Sequence, residues 1–182
     1  MNTELAIAYS MILYVIFVPI GLYISFLCYK RYQRLSIIGL VFLFTSFFFQ
    51  GLLAGTAIFG ANLENMGNNI LVKYFSLLVM LFGLLVSIYS IISFKIIKRT
   101  IGFDTHNLIT DGIYRYRRNP QYVGYGIIQF GAMIGWWNQY AIISIISYIY
   151  LVYFTVLIEE YNLNNLYKDK FVEYMKRTPR YY

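Results

Sequence analysis

Long apolar runs separated by short polar breaks organise this chain. They recur at about residues 5–28, 35–59, 70–97 and 140–158, with a shorter run at 121–135. Apolar stretches of roughly 18 residues or more match the length a helix needs to cross the ~30 Å hydrocarbon core. The pattern therefore predicts an all-α, polytopic membrane protein with about five transmembrane helices. Pro19-Ile20-Gly21 predicts a kink in the first, which neighbouring helices must tolerate. In the second, Gly51 and Gly55 have the spacing that lets two helix backbones approach closely. The third is longer than the core is thick, so it must tilt or protrude. Trp136-Trp137-Asn138-Gln139 reads as a tight turn whose indoles suit the headgroup level. Beyond the last run, Leu163, Leu166, Tyr167, Phe171 and Tyr174 recur at helical spacing, opposite Lys168, Asp169, Lys170, Glu173, Lys176 and Arg177. That is the signature of a C-terminal amphipathic helix lying in the membrane interface, ended by Pro179.

Composition agrees: 59% of the residues are hydrophobic, 13% are charged, and the mean hydropathy is +0.58, far from a soluble globular domain. The first residues, Met1-Asn2-Thr3-Glu4, carry no basic flank and no small-residue cleavage site, so the first run is expected to be a retained span. A net charge of +7 would suggest nucleic acid, but its distribution argues otherwise. With five spans, 14 of the 15 Lys and Arg residues fall on one side, Lys73 being the exception. This positive-inside pattern predicts an N-terminus outside and a cytoplasmic C-terminus. The positive charge is then a topology signal and a contact for anionic lipid headgroups, with no basic-aromatic stripe on which bases would stack. Cys28 is alone, which excludes an internal disulfide, and with His106 the single histidine no metal site is expected.

Two polar islands interrupt this chain. One runs from His106 to Gly124, and the other is Glu159-Glu160 at the end of the last apolar run. Pro120 suits the first position of a helix with Asn119 as its cap, so that helix would aim free N–H groups and its positive dipole end at the interface. Arg117 and Arg118 add donors for a carboxylate or phosphate. Glu159 and Glu160, across the helical hairpin, would suit an amine or a sulfonium. An anion-binding wall facing a carboxylate wall fits a zwitterionic, amino-acid-like ligand. Each piece also has a plainer reading: arginines that set topology, glutamates that end a helix, tyrosines that anchor at the interface. Composition and spacing alone support a polytopic membrane protein with a site at its cytoplasmic face.

The order of residues goes further. His106, Leu108, Thr110, Gly112 and Tyr114, followed by Arg118-Asn119-Pro120, Tyr122 and Gly124, resemble the H-x-L-V-T-x-G-x-Y and R-H-P-x-Y-x-G signature of the isoprenylcysteine carboxyl methyltransferase family. Glu159, Glu160, Leu163, Tyr167, Phe171, Tyr174, Pro179 and Arg180 resemble that family's second signature, and together the two cover about residues 98–180. The resemblance implies an integral membrane enzyme, related to the phospholipid methyltransferases, that moves a methyl group from S-adenosylmethionine to a lipidic or prenylated acceptor. Residues 1–182 would form one membrane domain, with 1–97 as three framing helices and 98–182 as the cofactor-binding and catalytic part. Carried over by position, His106, Leu108, Tyr114, Arg118, Asn119, Pro120, Tyr122, Glu159 and Glu160 would line the cofactor. The catalytic candidates are Arg118, Glu160 and Arg180: an arginine to hold a carboxylate acceptor, or Glu160 to take a proton from an amine. Carboxyl methylation of an isoprenylcysteine-like lipid is the leading expectation. An aminolipid N-methyltransferase and a non-catalytic membrane scaffold are the alternatives. Two departures stand out. Asn119 replaces the family's histidine and cannot carry a proton at neutral pH, and Lys168 replaces a glycine, expected to matter less on an exposed face.

Overall fold

The computed structural model describes residues 3–60, 69–93 and 108–181. Those residues form six α-helices and one short 3-10 turn, with no strand among them. The helices are α1 (Thr3–Tyr32), α2 (Ile37–Gly60), α3 (Ile70–Ser93), α4 (Pro120–Gly135), α5 (Gln139–Tyr167) and α6 (Asp169–Arg177), with the 3-10 turn at Gly112–Arg115. Four of them, α1, α2, α3 and α5, are long and apolar enough to cross a membrane, so the chain is a multi-pass membrane protein. The fifth apolar run becomes α4, whose 16 residues extend only about 24 Å at ~1.5 Å per residue. Helix α1 runs unbroken through Pro19.

Small residues decide which helices touch. Ser76, Gly83 and Ser90 are the buried residues of α3 and lie seven positions apart on one stripe. Against them α4 sets Gly124, Gly131 and Gly135. A Cβ on Gly83 would stand 2.7 Å from the carbonyl oxygen of Gly124, and one on Gly124 would stand 2.6 Å from the amide nitrogen of Ser87. The two backbones therefore meet directly, running antiparallel, and Ser76 Oγ seals the seam by donating to the carbonyl of Gly131 at 2.7 Å. In a membrane, where apolar side chains gain little by leaving lipid, such close approach is what holds helices together.

The expected Gly51–Gly55 contact does not form. A Cβ on Gly55 would meet open space, and one on Gly51 would meet only the Tyr125 hydroxyl, at 3.9 Å. The glycine spacing in α2 was real but unmatched by a small partner surface, whereas α3 and α4 present matched stripes. Helix α1 instead meets α2 at Gly21, beside the Phe42 carbonyl and Ser46. It leans on α5 through Tyr14, whose hydroxyl donates to the Ser147 carbonyl at 2.5 Å, within a core of Tyr14, Val18, Leu22, Leu53 and Leu151.

The α4–α5 hairpin turns at the two tryptophans, as the sequence predicts. Asn138 caps α5, its Oδ1 accepting from the amides of Tyr140 and Ala141 at 2.8 and 3.0 Å. Buried polar groups fix the hairpin against α2. Gln50 Oε1 accepts from the Tyr125 hydroxyl and from Gln129 Nε2 at 3.2 Å. Gln50 Nε2 donates to the Ser144 carbonyl at 3.2 Å, and Ser144 Oγ donates to Gln129 Oε1 at 3.3 Å. Every member is satisfied, as a polar group inside an apolar bundle must be.

The tail departs from expectation in one respect. A single amphipathic helix was predicted from Leu163 to a stop at Pro179; instead α5 continues to Tyr167, and the chain bends at Lys168 before α6 begins. Lys168 adopts φ 47°, ψ −122°, a conformation that favours glycine. A glycine, which the resembled signature has at this position, would adopt this backbone more readily, and exposure of the side chain was a poor guide to the position. The bend folds α6 back so that Phe171 and Tyr174 are buried, leaving its charged face outward.

Candidate functional site

The site gathers where the start of α4, the third-last turn of α5 and the C-terminal strap meet. The 3-10 turn comes first. Tyr114 is almost fully buried, and its hydroxyl reaches the Ser90 carbonyl at 3.3 Å and Gln121 Oε1 at 3.2 Å, tying the turn to α3 and α4. Its own carbonyl accepts the Tyr174 hydroxyl of α6 at 2.6 Å. Burial pushes the Tyr174 phenol up to about 12, against the pull of Arg118 and Arg177, so it stays a donor across the physiological range.

The chain then passes Arg117 and Arg118 into α4. The two arginines part company. Arg117 turns back on the Tyr116 carbonyl at 2.9 Å and takes no part in the site. Arg118 points inward, its side chain 12% exposed, with Nη1 2.9 Å from Glu160 Oε1. Pro120 occupies the first turn of α4, as expected. Asn119 stands at the cap position, but its side chain caps nothing. Its Nδ2 instead faces the Arg180 carbonyl at 3.5 Å, and the Arg118 amide donates to the Pro179 carbonyl at 3.0 Å. The carboxamide is therefore turned toward the C-terminal strap, away from its own helix.

Glu160 is the hub. Its carboxylate, 10% exposed, accepts Arg180 through Nε at 3.0 Å and Nη2 at 2.5 Å, and has Arg118 on the same Oε1. Hydrogen bonding to Glu160 raises the affinity of the Arg180 guanidinium for its proton above even its ordinary value. A carboxylate taken out of water is tolerable when cations surround it in this way. Glu159 faces elsewhere, accepting the Tyr122 hydroxyl at 2.7 Å, while the Tyr122 ring stacks on Phe47 of α2. Among the described residues no cation lies within ion-pair distance of Glu159.

Two sequence expectations change at this point. The glutamates do not end their helix, because α5 continues to Tyr167. The arginine and glutamate walls are not held apart either. Arg118 and Glu160 touch, and Arg180 closes over them. Of the predicted residues, Arg118, Asn119, Pro120, Tyr122, Glu159, Glu160 and Arg180 converge, with Tyr114 bracing them from below. Leu108 is half-buried at the start of this segment, and His106 lies outside the described residues.

Near the knot, Arg118 and Asn162 carry buried polar atoms without a hydrogen-bond partner. Neither Nε nor Nη1 of Arg118 has an aligned hydrogen-bond acceptor, and Oδ1 of Asn162 has no donor. Asn162, two positions beyond Glu160, escaped the sequence reading. Its signal was there, an asparagine within one helical turn of the glutamates, where the long apolar run gives way to polar residues. The Gln50–Gln129 pair left a similar signal, each a glutamine inside a hydrophobic run.

A family model described as phospholipid methyltransferase matches residues 71–170, more than half of the chain. The match begins in α3, takes in α4, and ends just past the bend at Lys168. No curated protein and no solved structure matches the chain.

Proposed function

The chain belongs to the phospholipid methyltransferase family, integral membrane methyltransferases that include the isoprenylcysteine carboxyl methyltransferases, and from that premise we propose an S-adenosylmethionine-dependent methyltransferase acting on a lipidic acceptor at the membrane surface. The observation that carries this reading is the Arg118–Glu160–Arg180 knot, in which the buried Nε of Arg118 still lacks an acceptor. The residues fit the cofactor's amino-acid end. The unsatisfied Nε–H of Arg118 suits its carboxylate, and Asn162 Oδ1 suits its ammonium. When bound, the cofactor supplies an electrophilic methyl group on a sulfonium sulfur.

The rest of the work falls to the chain. Methyl transfer to oxygen or nitrogen is an in-line displacement, so alignment and exclusion of water matter most. The strap through Pro179 and Arg180, hydrogen-bonded to the start of α4, covers the knot and excludes water. A carboxylate acceptor, as on an isoprenylcysteine-like lipid, is already ionised near pH 7 and needs no base. A second reading, an aminolipid acceptor, is favoured by one observation: Glu159 accepts only from Tyr122 and has no cation beside it among the described residues. An amine losing a proton on methylation could pass it to that carboxylate. Glu160, held by two arginines, is poorly placed for this role.

Membrane orientation belongs to the same reading. The basic residues that follow α1 and α3 and fill the tail put the knot and the C-terminus in the cytoplasm and the N-terminus outside. Supplying protein in vesicles with methyl-labelled cofactor and either an isoprenylcysteine or phosphatidylethanolamine tests the function. Base-labile label in the first lipid supports the carboxylate reading, and base-stable label in the second supports the amine reading. Label in neither lipid contradicts both.

A further inference from the structure

Beside the knot, a cleft of about 490 Å³ opens between the 3-10 turn and α6, lined by Thr110, Asp111, Arg115, Arg177 and Thr178. A second hollow of about 390 Å³ adjoins it across Arg115, lined by Tyr89, Gly112, Ile113 and Tyr116. The two differ in chemistry. The first offers two guanidinium groups from separate elements and two threonines. Among the described residues neither guanidinium has a carboxylate within ion-pair distance. The second is aromatic and aliphatic, and Tyr89 stands on the outward face of α3, 56% exposed, where that spanning helix meets lipid. Thr178 Oγ1 reaches the Arg115 carbonyl at 3.5 Å, so α6 and the turn are joined along the cleft floor.

We propose that this double cleft binds a membrane phospholipid, its phosphate held between Arg115 and Arg177 and its glycerol end against Tyr89 and Tyr116. Arginines set only for topology need no shared concavity and no apolar annex open to the bilayer; an amphiphile with a phosphate needs both. Paired guanidinium groups suit the phosphate, and the interface concentrates such ligands. Asp111 also lines the cleft, so an anionic lipid should bind more tightly once that carboxylate is neutralised. The site is separate from the Glu160 knot and does not depend on methyl transfer.

The test is native mass spectrometry of the full chain released from detergent, titrated with dioleoyl phosphatidylglycerol. The Arg115→Ala/Arg177→Ala variant should bind this lipid roughly tenfold or more weakly than wild type. Lys170→Ala/Lys176→Ala, which removes the same charge from the same helix outside the cleft, should bind nearly as wild type. Asp111→Asn should bind more tightly. Equal losses in the two double variants would assign the lipid to diffuse surface charge and overturn the site, as would unchanged binding in the arginine variant. Millimolar inorganic phosphate should fail to displace the lipid; full displacement would show that a soluble phosphate, and no lipid, is the ligand. S-adenosylhomocysteine affinity, measured on the same variants, should not change, which separates this site from the methyltransferase reading.

Discussion

Arg180 approaches Glu160 with two nitrogens while its backbone carbonyl faces Asn119 and the neighbouring Pro179 carbonyl takes the Arg118 amide. One residue thus closes the strap over the start of α4 by both its side chain and its main chain. Arg180→Ala should lower stability by about 2 kcal/mol, the scale of a lost charge-assisted hydrogen-bond pair. Arg180→Lys should restore only part of it, because an ammonium cannot reproduce the fork. Thermal unfolding in detergent checks both, and equal melting temperatures for all three proteins would contradict the strap. At Lys168 the opposite sign is expected. Its φ of 47° carries strain that glycine relieves, so Lys168→Gly should raise stability by about 1 kcal/mol; a lower melting temperature would show that the bend needs the lysine. The sequence marked this residue as a departure but could not weigh it, because a backbone torsion leaves no trace in hydrophobic pattern. Arg118 and Arg117 teach the same lesson. Adjacent and chemically identical, they are told apart only by which one the fold turns inward.

At the level of helices, the chain shows its elements more clearly than their partners. Apolar run length located the long helices, and Pro120 marked the start of α4 correctly. Pairing rested on a finer signal. Gly51 and Gly55 match a known spacing yet face almost nothing, whereas Ser76, Gly83 and Ser90 recur every seven residues and find Gly124, Gly131 and Gly135 opposite. A stripe of small residues packs only against another such stripe, so the pattern is legible when two are compared. Gly124→Ala should therefore cost about 1–3 kcal/mol, since its methyl meets backbone atoms that cannot rotate away. Gly55→Ala, in open space, should be neutral or slightly stabilising through helix propensity. Chemical denaturation of the two variants in matched detergent distinguishes them, and equal effects would undo the α3–α4 seam as described.

Across the whole molecule, the division of labour is spatial. Spanning helices α1, α2, α3 and α5 make a frame whose outer face is apolar, and the Gln50–Gln129–Ser144 cluster fixes the α4–α5 hairpin inside it. That frame sets the polar end of the hairpin beside the tail, where distant segments of sequence supply Arg118, Glu160 and Arg180. The motifs that resemble the isoprenylcysteine carboxyl methyltransferases were visible as residue order. That they close into one ion-paired knot was not, because the sequence carries no distance between residue 118 and residue 180. The central claim is that this knot grips the amino-acid end of a sulfur-based methyl donor. Isothermal titration of S-adenosylhomocysteine into the purified full-length protein tests it most directly, with Arg118→Ala and Arg117→Ala compared in parallel. Saturable binding that weakens about tenfold or more in Arg118→Ala and is unchanged in Arg117→Ala is the predicted result. No binding to the wild type at high micromolar ligand, or equal affinity in both variants, would contradict it.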